Sequence, residues 1–263
     1  MHKILKEHTV FDPDRDDPFI LSRTAIDEFF ECRKCFYFKR RLGLKPPRLI
    51  PLTLAIATDA ILKNEFDEMR QKEGQSHHVW QTHQLNVSAF SHPDMDDWRN
   101  NFRGIRYFHE PTNQEITGAI DDVWQSKETD QLHIVDYKST SKKDDPDIES
   151  GWGFGYKRQM EVYQWLFRQN GFDVNETGYF LYINGRKDTG FYDTGNDGET
   201  VGRMLFRTTL IPYAGDTGWG DDVIFQCRDT LRSDEIPEGS ERCDRCRYFR
   251  ERGELEQDRL LSE

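Results

Sequence analysis

The segment IVDYKST, residues 134–140, alternates like a buried strand, yet it places Asp136 and Lys138 on one side. Burying a carboxylate and an ammonium is costly unless each is paired or acts on something. Before it lies a second run, EITGAIDDVWQS (115–126), joined through KETD, a link short enough for a hairpin. Asp121 on that run can stand beside the same spot. Two carboxylates, the main chain of Tyr137 and water make an all-oxygen site suited to Mg²⁺ or Mn²⁺. Such an ion polarises a phosphoryl oxygen and activates water, and Lys138 could steady the charge that grows in the transition state. Asp136 and Lys138 would then be paired through a metal. A lone D-x-K also arises by coincidence on surface strands.

The cysteines suggest a second centre. There are five, and four form two CxxC pairs, Cys32/Cys35 and Cys243/Cys246, one near each end. Paired CxxC motifs favour a four-cysteine metal site, and tetrahedral sulfur suits zinc or an iron–sulfur cluster; free thiols are the remaining alternative. Cys227, within DDVIFQCRDTL, is expected to be a buried core thiol. The segment RKCFYFKRRLGLKPPR (33–48) holds seven Lys/Arg and no acid, and RCRYFRER lies beside the second pair. Closing the cysteine site would bring Lys39, Arg40 and Arg41 near Arg245, Arg247 and Arg250, together with Phe36, Tyr37, Phe38, Tyr248 and Phe249. Cations with stacking rings are what a single-strand groove needs; solvated helix faces are the plainer alternative.

These residues need elements to position them. The pattern predicts a helix from an N-cap at Ser22 to about Gly43, an extended stretch at Pro46 and Pro47, and a second helix over roughly 52–73 stopped by Gly74. Residues 77–113 are expected to give an edge strand and a polar loop. After the hairpin come a polar loop (141–155), a helix at 156–170 closed by Gly171, strands at 177–185 and 203–213, and a helix near 220–232. Helices before a hairpin, one after it and then further strands describe an α/β layer arrangement around a mixed sheet. The chain of 263 residues is 35% hydrophobic and 32% charged, so its 18 Phe, 10 Tyr and 6 Trp must supply much of the core. A net charge of −12 argues weakly against a protein that coats nucleic acid. No run is apolar enough to span a bilayer and the first residues lack an apolar signal region, so a cytoplasmic location is expected.

Taken in order, these features resemble the PD-(D/E)xK nuclease superfamily and its RecB-like branch. GAID, ending at Asp121, matches the glycine–x–x–aspartate element; Asp136–Tyr137–Lys138 matches aspartate–x–lysine. QMEVY then places Gln159 and Tyr163 four apart on one helix face, the branch's Q-x-x-x-Y feature. The resemblance implies a restriction-endonuclease-like mixed sheet flanked by helices, with Asp121 and Asp136 as metal ligands and Lys138 as catalytic cation. Gln159 and Tyr163 would face the site and the DNA. RecB-like nucleases carry a histidine ligand on an earlier helix; here Asp59 takes that place, with Glu65 nearly two turns on. AddB-type and CRISPR-associated relatives clip their ends with four cysteines around a [4Fe–4S] cluster, split one and three. The resemblance implies such a [4Fe–4S] cluster on Cys32, Cys35, Cys243 and Cys246 here, and the two-and-two split leaves zinc as the alternative. The implied function is a Mg²⁺- or Mn²⁺-dependent exonuclease on single-stranded DNA ends in repair, recombination or defence, with a helicase or other DNA-processing partner. It would form one domain over 1–263, with its core at about 50–215 and cysteine segments at about 22–48 and 233–252. A catalytically silent DNA-binding or scaffold subunit of the same fold is the main alternative; a zinc-held interaction module is a third.

Overall fold

A computed structural model of the chain describes residues 9–47, 52–72, 74, 76–194 and 200–261. Arg48, the last cation of the first basic segment, and residues 1–8 lie outside them. In chain order the elements begin β1 (Phe19–Ser22), α1 (Arg23–Glu31), α2 (Arg33–Arg40), α3 (Thr53–Gln71), α4 (His78–Thr82), β2 (Val87–Ala89), α5 (Met95–Trp98), β3 (Ile105–His109) and β4 (Gln114–Gly118). They continue as β5 (Asp122–Ser126), β6 (Leu132–Thr140), α6 (Gly153–Gln169), β7 (Thr177–Gly185), β8 (Tyr192–Thr194), β9 (Thr200–Gly202), β10 (Phe206–Ala214), α7 (Gly220–Arg232) and α8 (Asp244–Leu261). Two compact units result: Met1–Leu49 with Arg106–Thr117 and Gly218–Glu263, and Ile50–Ile105 with Gly118–Thr217.

The first unit holds a three-stranded sheet ordered β1-β4-β3 and the helices α1, α2, α7 and α8. Ser22 is the N-cap expected of it: its hydroxyl accepts from the Ala25 N–H at 3.2 Å. The single helix expected from Ser22 to Gly43 is instead two. Cys32 adopts extended backbone (φ −165°, ψ 108°) between them, and this turns its thiol toward the other cysteines. Phe29, Phe36 and Tyr37 are buried with Val223, Ile224 and Leu231 of α7. Cys227 is a buried core thiol as expected, and burial pushes its pKa up. The second CxxC sits at the start of α8, a helix the sequence pattern does not announce.

The second unit is built on a five-stranded sheet ordered β10-β7-β6-β5-β2, in which only β6 and β7 run parallel. This is the expected mixed sheet flanked by helices. The strand expected over 115–126 divides into β4, which joins the first unit's sheet, and β5, which pairs with β6. The expected edge strand within 77–113 is β2, but that stretch also forms α4, α5 and β3. Alternation along the strands sends Trp124, Val135, Tyr137, Tyr179 and Leu181 into one core with Phe66 and Trp80. Asp136 and Lys138 point to the opposite face, toward α6. On the core face α3 is bolted to β6 by a 2.7 Å hydrogen bond between the Thr58 and Ser139 hydroxyls. On the other face α6 comes so close that a Cβ on Gly178 of β7 would lie 2.4 Å from the Met160 sulfur. Among the described residues, no helix is long and apolar enough to cross a membrane.

Candidate active site and metal centre

The β5–β6 ladder ends at the pair Asp122↔Val135, so beyond it β6 keeps a partner only in β7. The edge thus opened is where the charged residues gather. Asp121 lies just before β5 rather than on it, and its Oδ2 accepts the Tyr137 N–H at 2.8 Å, satisfying the exposed edge. Asp136 is fully buried and forms an ion pair with Lys138, so the two charges that share a strand face neutralise each other directly. Lys138 also donates to Gln159 Oε1 at 3.1 Å and sits 4.3 Å from the centre of the Tyr156 ring. Gln159 in turn donates to the Tyr163 hydroxyl at 3.1 Å. The helical Q-x-x-x-Y pair is therefore joined to the strand lysine in one chain of contacts. Burial alone would lower the Lys138 pKa, but Asp136 and Asp121 more than offset it and hold the ammonium protonated.

The glycine before Asp121 has a steric reason. A Cβ at Gly118 would stand 2.7 Å from Tyr163 Cε1, so any larger residue would drive the tyrosine off Gln159.

Asp59 reaches the same site from α3. Its Oδ2 is 2.9 Å from Lys63 Nζ, and that ammonium is also 3.3 Å from Asp121 Oδ1. Burial, then the charge of Asp121, raises the Asp59 pKa. Glu65 is elsewhere: it binds His77 Nε2 at 2.8 Å. Asp59, Asp121 and Asp136 offer only oxygen, the donor set that Mg²⁺ and Mn²⁺ prefer, and two lysines already place positive charge among them. In donor chemistry the residues fit a divalent ion, but among the described residues their carboxylate oxygens do not all converge within 4.8 Å as the four cysteine sulfurs do.

Beneath Asp121 lies a network that no sequence signal disclosed. Asp122, fully buried, pairs with Arg70, with Arg99 at 3.2 Å and with the Tyr137 hydroxyl at 2.6 Å. Both arginines also hold Asp67, each at 2.7 Å, and Arg99 Nε donates to the Asp121 carbonyl at 2.9 Å. Asp122 thereby fixes Tyr137 on one side and, through Arg99, the backbone of Asp121 on the other. Breaking a buried ion pair by removing one partner costs about 3–5 kcal/mol. Asp122→Ala is expected to lower the unfolding free energy of this unit by that amount in urea titrations; a loss under about 1 kcal/mol would mean that Asp67 alone satisfies both arginines.

The second unit thus brings together an unbroken aspartate–x–lysine strand, an aspartate at its open edge and a helix that reaches the lysine. The family profile of the PD-(D/E)XK nuclease superfamily matches residues 50–250. The chain belongs to this superfamily. No curated protein matches it. Within the PD-(D/E)XK core, sequence reasoning missed Lys63, Tyr156 and the Asp122 network. Lys63 was signalled only by its i+4 spacing from Asp59; Tyr156, Arg70 and Arg99 carried no local signal at all.

The first unit carries the sulfur site. Cys32 and Cys246 lie 3.6 Å apart, Cys35 and Cys243 3.6 Å, and Cys35 and Cys246 3.7 Å, with all four Sγ within 4.8 Å of one another. Four zinc–sulfur bonds of about 2.3 Å give a tetrahedral edge of about 3.8 Å. Burial opposes ionisation of Cys32, yet N–H groups of Cys35 and Ser240 donate to its sulfur and bring its pKa down to about 7. Burial and the neighbouring sulfurs push Cys35 up, and Cys246 rises to about 11. A groove of about 790 Å³ opens beside these thiols, lined by Lys34, Lys39, Lys45, Arg245, Arg250 and the rings of Phe38 and Phe249. Lys39 and Arg40 both pair with Glu28 of α1, the latter at 2.9 Å, so an acid outside the basic segment offsets part of its charge. Arg41 is half-buried at the end of α2.

Proposed function

We propose that the chain is a RecB-like, metal-dependent deoxyribonuclease, an exonuclease acting on single-stranded DNA ends in repair, recombination or defence. The linkage Lys138–Gln159–Tyr163 carries this reading, because it joins the strand lysine to the helical Q-x-x-x-Y pair in one hydrogen-bonded unit, with Tyr163 buried at its base. Asp59, Asp121, Asp136 and the main chain of Tyr137 would hold Mg²⁺ or Mn²⁺, which when bound supplies a Lewis acid and an activated water. Lys138, kept charged by its carboxylates, would stabilise negative charge on the phosphoryl oxygens. Gln159 would hold that ammonium in place, and the buried Tyr163, expected from the resemblance to face the DNA, would instead act through Gln159, whose amide donates to its hydroxyl. The four cysteines would hold one zinc ion: their sulfur spacings match a single tetrahedral centre, whereas a cubane of four irons and four sulfides holds its thiolates further apart. The groove beside them, with Lys39 and the arginines of α8, would carry single-stranded DNA, delivered by a helicase or other processing partner. The proposed location is the cytoplasm.

Two exposed lysines support the substrate class from within the nuclease core. Lys142 and Lys143 follow β6, and Asn184 clamps that turn by accepting the Lys142 N–H at 3.0 Å and donating to its carbonyl at 3.0 Å. With Arg186, Lys187 and Arg207 they border a second cavity of about 960 Å³; Arg186 pairs with Asp188 and Arg207 with Asp145, each at 2.8 Å, so the lysines would be its main contribution to a phosphate backbone.

End-labelled single- and double-stranded DNA incubated with Mg²⁺ or Mn²⁺ tests the proposal. Cleavage that requires the ion and yields a ladder of mononucleotide steps from single strands is the expected result. DNA binding with no cleavage in any divalent ion would instead favour the silent scaffold.

A further inference from the structure

Lys63 has no place in the D-x-K motif, yet it bridges two of the three carboxylates offered to the ion, at 2.9 Å from Asp59 and 3.3 Å from Asp121. The charges decide what this means. Asp59, Asp121 and Asp136 contribute three negative charges; Lys63 and Lys138 return two positive ones. A divalent ion added with both lysines in place would leave the site with an excess positive charge. The same ion taken up while Lys63 leaves makes it neutral. The two lysines also differ in freedom. Lys138 is 13% exposed and gripped by Asp136, Gln159 and the Tyr156 ring. Lys63 is 21% exposed on a four-carbon stem, and the two carboxylates it bridges are 34% and 22% exposed. Its ammonium can therefore turn outward to water without leaving a buried partner behind.

We infer that Lys63 is an internal counter-cation that holds the metal site closed and must be displaced when the divalent ion enters. The inference rests on the metal-dependent reading of the site. In the ion's absence Lys63 relieves the repulsion between Asp59 and Asp121, so the nuclease core stays folded. The affinity for metal is then weakened by the cost of breaking two ion pairs, and the enzyme is tuned to ion concentrations that outcompete its own lysine.

Titration with Mn²⁺, read from the electron paramagnetic resonance of the free ion, tests this directly. Lys63→Met is expected to bind Mn²⁺ about ten- to hundredfold more tightly than the wild-type chain, and Lys63→Arg within about threefold of it. Lys63→Met binding no tighter than wild type would overturn the inference and leave the nuclease reading intact. Neither protein binding Mn²⁺ would overturn both. The wild-type chain offers a second readout that needs no variant. Amine acetylation mapped by mass spectrometry should rise several-fold at Lys63 on Mn²⁺ saturation, with Lys138 as the protected reference. Equal labelling of Lys63 with and without the ion would overturn the displacement.

Discussion

Lys138→Met is expected to lower turnover of single-stranded DNA by about 10²–10³-fold at saturating Mg²⁺, the loss typical when one preorganised charge-stabilising donor is removed. The structure explains why no neighbour can substitute. The ammonium is held by Asp136, by Gln159 at 3.1 Å and over the Tyr156 ring at 4.3 Å, so its position is set by three different side chains. Lys138→Arg should rescue poorly, because a planar guanidinium cannot occupy the same cradle. Removing one partner of a buried ion pair costs about 3–5 kcal/mol, so Lys138→Met should also melt earlier in the absence of metal. Adding Asp136→Asn should restore much of that stability without restoring turnover. Steady-state rates and melting curves on the same samples separate the two effects. A Lys138→Met protein that kept more than a tenth of wild-type turnover would remove the lysine from the chemistry.

The second large effect is on the first unit. Cys35→Ser, or prolonged treatment with a strong chelator, is expected to lower its melting temperature by on the order of 10 °C, since metal binding by such a site is folding free energy. Cys35, like Cys246, touches two of the other three sulfurs, at 3.6 and 3.7 Å, so its loss breaks more of the centre than loss of Cys32 or Cys243. Metal analysis should return one zinc per chain and negligible iron. Anaerobically purified protein with stoichiometric iron and sulfide and a broad visible absorption would instead establish a cluster.

The sequence made the central pieces legible because they are local. Asp136, Lys138, Gln159 and Tyr163 announce themselves through strand and helix periods, and the structure brings all four together on one side of β6. Ser22 was recognisable as an N-cap, and β7 and α7 begin and end where the pattern places them. What failed was whatever depended on distant partners. The run 115–126 looks like one strand, but its halves hydrogen-bond in different sheets, and no local property records that exchange. Cys32 breaks a helix that its neighbours favour because its sulfur must meet Cys246, which lies 214 residues away. The acid that offsets Lys39 and Arg40 lies on the preceding helix, so counting charges within 33–48 overstates what the surface presents. Asp122 reads as a duplicate of Asp121 until Arg70 and Arg99 are seen to hold it.

The cysteine centre joins stretches that flank the nuclease core on both sides, which fixes the order of events during synthesis. Residues 118–217 leave the ribosome before Cys243 and Cys246 exist, so the five-stranded sheet can assemble while α1 and α2 still lack α7, α8 and two of the four clustered thiols. Closure of the four-thiol cluster is therefore a late assembly step, and it reports that the chain is complete through Cys246. A chain truncated before Cys243 would carry an intact D-x-K strand but an open clasp.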